Sequence, residues 1–157
     1  MADSARSVYR VVAEHFEYYG YEVFVEDDRC YKAVGVKPSV LAIRGCTVAS
    51  AELVPRFSPD VVPRLVSYLR FSDYVYMVLT DAKGYPELGP WREVLERLGI
   101  GVMYIERTPI NELWIAFDAE RNRGADCHSK DLLRYDLLGE YAWHPRDSCC
   151  CVDGEDP

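Results

Sequence analysis

Two short apolar segments on either side of a helical pattern constrain the fold of this 157-residue chain more than any other feature. Residues 74–79 and 100–105 are almost uninterruptedly apolar, which is typical of strands buried on both faces of a sheet. A helical pattern lies between them, with apolar side chains at Trp91, Val94, Leu95 and Leu98. Strand, helix and strand within about 30 residues predict a βαβ unit with two parallel strands.

The preceding part of the chain predicts one more helix and a group of strands. Apolar side chains at helical spacing predict a helix over 4–19, and alternation predicts a strand over 21–25. Residues 30–36 are interpreted as a further short extended piece. Residues 40–43 and 47–54 predict two strands whose short connection makes them an antiparallel hairpin.

The remaining elements complete an α/β pattern. Asp60 is the expected N-cap of a helix, 113–117 is an edge strand, and a short helix is expected around 132–138. A chain of this length holds one core, since domains typically contain about 100–200 residues. We therefore expect one α/β domain, a mixed central sheet flanked by helices, over 1–118. A small helical and cysteine-rich C-terminal extension is expected over 119–157.

Composition limits the class and the compartment. Hydrophobic residues make up 49% of the chain and charged residues 28%, as in ordinary globular proteins. No run approaches the roughly 18 apolar residues of a membrane helix, and the first residues lack the apolar segment of a secretory signal. We therefore expect a cytoplasmic protein without a membrane partner. The chain has no Gln, two Asn, and fourteen Arg against four Lys, which indicates a thermophilic, archaeal source.

Two strand segments resemble a known catalytic motif. They are KPSVLAIRG, residues 37–45, and ASAELVPRF, residues 49–57. With the order of elements over 5–106, they resemble the core of the PD-(D/E)xK restriction-endonuclease-like superfamily, which includes archaeal Holliday-junction resolvases. Pro38 stands where the family has its proline, and Glu52 matches the acid of the family's third strand.

The resemblance implies a Mg²⁺ centre built from acidic residues beside a lysine. Ser39 replaces the family's metal-binding Asp, and Val54 replaces its Lys. Glu14 is the candidate for the acid of the first helix, with Glu17 as a substitute. A hard cation prefers carboxylate ligands, so these losses predict no ordinary Mg²⁺-dependent cleavage. The expected function is that of a catalytically degenerate nuclease-fold protein in nucleic-acid binding or assembly.

Other interpretations stay open. An active nuclease with a rearranged site would use Glu14 and Glu52, with the lost lysine replaced by Lys37, Arg56 or Arg64. A protein-interaction scaffold is the third interpretation, with a protein partner. From the residues alone, Glu52 is also explained as a solvated strand end or as the ion-pair partner of Arg56 or Arg64.

The charge is unevenly distributed. The whole chain has a formal charge of −8, yet residues 29–70 carry +5 between segments of −5 and −8. This basic stretch predicts a surface for DNA or RNA, because phosphate binding is driven by cations. Ion pairing with the acidic flanks is the alternative. The candidate nucleic-acid-binding residues are Lys37, Arg44, Arg56, Arg64 and Arg70.

The C-terminal region concentrates cysteine and histidine. A zinc site would draw on Cys127, His128, His144, Cys149 and Cys151, but the spacing lacks a C-x₂-C pair. Disulfides from the tail to Cys127, or to Cys30 and Cys46, are an alternative, since intracellular disulfides occur in hyperthermophiles. Free thiols are the third possibility.

Overall fold

The computed structural model of the chain describes residues 2–107, 109–139 and 150–151. A six-stranded sheet forms its centre, with strands in the same order as in the chain. The strands are β1 (Glu22–Val25), β2 (Val40–Arg44), β3 (Thr47–Val54), β4 (Tyr74–Leu79), β5 (Gly101–Glu106) and β6 (Glu112–Phe117). The α-helices are α1 (Ala2–Tyr18), α2 (Arg29–Val34), α3 (Val61–Tyr68), α4 (Trp91–Arg97) and α5 (Cys127–Leu138).

The sheet is mixed. β1, β2 and β3 pair antiparallel, β3, β4 and β5 pair parallel, and β6 returns antiparallel along β5. The hairpin of β2 and β3 and the βαβ unit of β4, α4 and β5 are confirmed. The general α/β class, a mixed sheet flanked by helices, is therefore confirmed as well.

Helices cover both faces of the sheet. On one face α1 packs Val8, Val12 and Phe16 against the strands. On the other face the remaining helices contribute Cys30, Leu65, Leu95 and Leu133 to a larger core. Alternation along β3 sends Ala49 and Ala51 to the α1 face and Val48 and Val54 to the opposite face. Glu52 shares the second face, where α3 lies.

One local prediction is wrong, and another holds only for the position of the residue. Residues 30–36 are not extended, because Arg29–Val34 form a helical segment that Gly35 ends at a φ of 82°. Asp60 does precede α3, but its own φ of −62° and ψ of −22° are helical, and its side chain makes no capping hydrogen bond. An N-cap side chain reaches the helix N–H groups from a non-helical conformation, which Asp60 does not have.

The C-terminal helix belongs to the same core. Asp126 caps α5 by accepting a hydrogen bond from the backbone N–H of Ser129, so the helix begins at Cys127, earlier than expected. Its Leu133 and Leu137 join the core cluster. Disulfides join Cys46 to Cys150 and Cys127 to Cys151, while Cys30 is a buried free thiol.

Within the described ranges, no helix is both long enough and apolar enough to cross a bilayer.

Candidate functional site

The start of β2 and the end of β3 lie side by side and bring Ser39 next to Glu52. Val40 pairs with Ala51, so Ser39 is opposite Glu52 in the antiparallel ladder. The backbone N–H of Ser39 donates to Glu52 Oε1 at 3.2 Å, and Ser39 Oγ accepts from the N–H of Leu53 at 3.1 Å. Ser39 therefore closes the strand pair and contributes to holding the Glu52 carboxylate.

The Glu52 carboxylate is buried and fully engaged. The residue is 7% exposed. Its Oε1 also accepts from the Tyr68 hydroxyl at 2.7 Å, and its Oε2 accepts from Arg64 at 2.7 Å. Arg64 and Tyr68 lie one turn apart on α3, so a single helix face supplies both donors. The structure agrees with ion pairing to Arg64 and excludes a solvated strand end.

Burial and hydrogen bonding perturb the groups around Glu52. Burial, and then the hydrogen bond to Glu52, raises the pKa of Tyr68 well above its ordinary value. The hydrogen bond to Glu52 likewise raises the pKa of Arg64. Both shifts have the same consequence: Tyr68 stays protonated and Arg64 stays charged, so both remain donors to Glu52.

A second polar group lies beside Ser39. Tyr9 of α1 donates its hydroxyl to Glu26 Oε1 at 2.7 Å, and burial followed by this bond raises the pKa of Tyr9 to about 12. Lys37 Nζ lies 3.4 Å from Glu26 Oε2 and 3.1 Å from Asp28 Oδ1. Glu26 has a φ of 46°, a left-handed conformation that costs a non-glycine residue about 1 kcal/mol or more. Its N–H donates to the Ser39 carbonyl at 2.9 Å, which ties this strained residue to the site.

The other family positions lie in different surroundings. Glu14 is exposed on α1, pairs with Arg10 at 3.1 Å and lines a recess with residues 109–111. Val54 is half-buried and packs against the larger core. Of the candidate residues, the structure therefore brings together Ser39, Glu52 and Arg64.

The remaining basic candidates also have partners within the chain. Arg56 lies 3.6 Å from Glu87 Oε1. Arg44 donates to the Tyr19 carbonyl at 2.8 Å, and Arg70 donates to the carbonyl of Val34. The basic stretch of 29–70 is thus divided among several local contacts.

Sequence reasoning missed Tyr9, Tyr68 and two cations at the carboxyl ends of the parallel strands. Lys83 follows β4 and Arg107 follows β5, and both line a cavity of about 600 Å³. Asp81 and Glu106 line it too, and Asp81 Oδ1 accepts from the backbone N–H of Lys83. The sequence did contain a signal for these two cations, since each follows a buried strand that is predicted to be parallel. The carboxyl ends of such strands meet at one edge of the sheet.

The residues around Glu52 do not fit a Mg²⁺ ion. Magnesium takes oxygen ligands in octahedral geometry, usually carboxylates and water. Here a guanidinium is bound to Glu52, and the neighbouring Glu26 carboxylate is held by the Tyr9 hydroxyl and the Lys37 ammonium. Ser39 Oγ is engaged with the backbone, and Val54 offers no ligand atom.

One group of possible metal ligands occurs in the described residues. Side-chain ligand atoms of Cys127, His128 and Cys151 lie within 4.8 Å of one another. Cys127 and Cys151 form a disulfide, whose sulfurs are not thiolate ligands, so metal binding and this disulfide exclude each other. The other two candidates, His144 and Cys149, lie outside the described residues.

No protein-family model, no curated protein and no solved structure matches this chain.

Proposed function

We propose that this protein binds nucleic acid through a restriction-endonuclease-like core whose Glu52 centre does not cleave. One observation supports the absence of cleavage most strongly: Arg64 donates to Glu52 Oε2 at 2.7 Å, while Oε1 accepts from Ser39 and Tyr68. The acid that the family would present to a metal is neutralised inside the protein. Cleavage through a metal at this place would require Arg64 to be displaced from a largely buried carboxylate.

The order and direction of the first strands support the same core. The succession α1, β1, β2, β3, α3, β4, with three antiparallel strands followed by a parallel one, agrees with the resemblance noted in the sequence. The helix α2 between β1 and β2 is an addition to that pattern. This support concerns the fold, and the function rests on the residues at the strand ends.

Three cations near the carboxyl ends of the parallel strands are suited to contact phosphates. The Arg64 side chain is 56% exposed although its guanidinium holds Glu52. Lys83 and Arg107 follow the neighbouring parallel strands and line one cavity there; both are exposed, although Asp81 and Glu106 line the same cavity. An arginine bound to a carboxylate through one nitrogen still has other N–H donors for a phosphate oxygen. Binding of this kind is independent of sequence and falls steeply with salt.

A salt titration with labelled DNA and RNA tests the proposal. Duplex, single-stranded and four-way-junction probes are followed by fluorescence anisotropy between about 50 and 200 mM salt. Lys83→Glu and Arg107→Glu should each weaken binding about tenfold or more and lower the salt slope by about one. Arg97→Glu is the charge-matched control, because this arginine is exposed on α4 and pairs with Glu93.

Two results would contradict the proposal. No binding of any probe at the lowest salt removes the nucleic-acid function, and equal losses in all three variants remove the assigned surface. Incubation of the same probes with Mg²⁺ or Mn²⁺ tests the absence of cleavage. Cutting that disappears in Glu52→Gln would favour an active nuclease with a rearranged site.

A further inference from the structure

A second cavity lies at the end of the parallel strands that is farther from Glu52, where β3 and β4 begin. It has a volume of about 290 Å³ and lies beneath the C-terminal end of α1. Ala49 near the start of β3 and Tyr74 at the start of β4 line it, together with Asp118, which follows β6. Glu52 is near the other end of β3, so the two sites are separate. The volume is close to the lower limit of small-molecule sites, about 300 Å³.

Aromatic rings form most of the cavity wall. The Phe16 ring centroid is 5.8 Å from that of Tyr21 and 6.0 Å from that of Tyr76, in edge-to-face arrangements. His15 lies 5.3 Å from Tyr19 in the same way. Such contacts fix ring orientations, so the wall is preformed.

A glycine is required for this wall. A Cβ at Gly101 would lie 2.7 Å from the Tyr76 ring and 2.5 Å from the backbone nitrogen of Ala119. Tyr76 in turn donates its hydroxyl to Asp118 Oδ1 at 2.5 Å, and the N–H of Ala119 donates to the same oxygen at 2.9 Å. The absence of a side chain at Gly101 allows the ring and the Asp118 carboxylate to meet.

The cavity also contains a cation. The Arg44 guanidinium lies 4.6 Å from the Tyr21 ring centroid and donates to the Tyr19 carbonyl at 2.8 Å. Burial lowers the pKa of His15, although Asp118 opposes that effect, so the imidazole is neutral at pH 7. Rings, one carboxylate and one guanidinium therefore surround the same space.

These groups select the chemistry of the ligand. A quaternary ammonium would be repelled by Arg44, which already occupies the face of Tyr21. An aliphatic chain would offer no hydrogen bond to Asp118 or Arg44, which are both exposed at the cavity. A planar ring with N–H donors would pack against the Tyr19 and Tyr74 side of the cavity and donate to Asp118, and an attached anion would reach Arg44.

We propose that this cavity binds a nucleotide, with its base among the tyrosine rings, a base N–H donating to Asp118 and its phosphate at Arg44. The base comes from a free mononucleotide or from the unpaired end of a strand. This site does not depend on the surface proposed for Lys83 and Arg107, so either can fail without the other.

Calorimetric titration of the full chain tests the site with AMP, adenosine and ribose 5-phosphate, and with GMP, CMP and UMP as alternative bases. Arg44→Gln should weaken AMP binding about tenfold and leave adenosine unchanged, because it removes a charge-assisted contact to the phosphate. Asp118→Asn should weaken both about tenfold, since it replaces a charged acceptor for the base N–H by a weaker neutral one. Arg97→Gln is the control for a lost arginine, and a thermal melt confirms that each variant is folded.

Comparing AMP with a short single strand also shows whether the bound base belongs to a free nucleotide or to a strand end. A short single strand that binds more tightly than AMP, and loses that advantage in Asp118→Asn, indicates a strand end. Tighter binding of AMP indicates a free nucleotide. The proposal is overturned if no nucleotide or nucleoside saturates the protein at millimolar concentration. It is equally overturned if folded Arg44→Gln and Asp118→Asn bind AMP as the unsubstituted protein does.

Discussion

The two partners of the Glu52–Arg64 ion pair should contribute very differently to stability. Truncating Glu52 to Ala removes the acceptor for the Tyr68 hydroxyl and the Ser39 N–H, both of them in residues at most 4% exposed. Each buried donor that is left without an acceptor lowers the free energy of unfolding by about 1–3 kcal/mol. Arg64 can be hydrated in this variant, because its side chain is half-exposed. We expect Glu52→Ala to lower the free energy of unfolding by about 3–5 kcal/mol.

Truncating Arg64 should cost less. Glu52 keeps two donors, and water reaches the space that the half-exposed guanidinium leaves. The cost should therefore lie between that of a surface pair and that of a broken buried pair, at about 1–2 kcal/mol. Tyr68→Phe, which removes one donor and leaves the charge paired, should cost a similar amount.

Urea unfolding with the disulfides intact measures these differences, since urea does not screen charge as guanidinium chloride does. Glu93→Ala is the control, because both side chains of the Glu93–Arg97 ion pair are exposed. This pair should contribute less than about 1 kcal/mol to the free energy of unfolding. If Arg64→Ala costs as much as Glu52→Ala, the guanidinium rather than the neutral donors holds the carboxylate, and the reasoning is wrong.

Two further predictions concern single side chains. Burial lowers the pKa of His15 in the folded state, so the unfolded state binds a proton first and stability should fall as the pH drops below about 6.5. His15→Gln should reduce that decline in melting temperature, and an unchanged decline would contradict the assignment. Burial raises the pKa of Cys30 to about 12, so iodoacetamide near pH 8.5 should leave this thiol unmodified until denaturant is added. Peptide mass spectrometry reads the result, and modification of Cys30 in the folded protein would refute it.

The strands and the main helices could be predicted because their patterns are determined locally. The apolar run of β4 and the close spacing of β2 and β3 have few alternative structures. The wrong prediction concerns a short segment whose conformation depends on tertiary contacts. The CYKAV part of 30–36 has β-compatible side chains, but α2 places Cys30 and Val34 in the core, and packing outweighs propensity.

The candidate site was predictable only in part. Glu52 and its pairing with Arg56 or Arg64 followed from charge and proximity in the chain, and Arg64 is the partner in the structure. Tyr68 could not be predicted, since a tyrosine on the apolar face of α3 is equally explained by burial. Arg107 and Lys83 do not emerge from the charge of any single segment, because it is the sheet topology that brings distant strand ends together.

The disulfide between Cys46 and Cys150 closes residues 46–150 into a covalent ring. Residues 1–45 lie outside this ring and form an arm. Cys46 and Cys150 are separated by 104 positions, and a ring of that size lowers the conformational entropy of the unfolded chain by an amount worth about 4.7 kcal/mol on a chain-entropy basis. β3 to β6 lie within the ring, while α1, α2, β1 and β2 belong to the arm.

The Glu52 site and the cavity beneath α1 each draw on both parts. Ser39 belongs to the arm and Glu52 to the ring, and Arg44 belongs to the arm and Asp118 to the ring. Detachment of the arm would dismantle both of these sites at once and leave the Cys46–Cys150 and Cys127–Cys151 disulfides in place. The cross-links thus protect the scaffold, while the integrity of both sites depends on non-covalent packing of the first 45 residues.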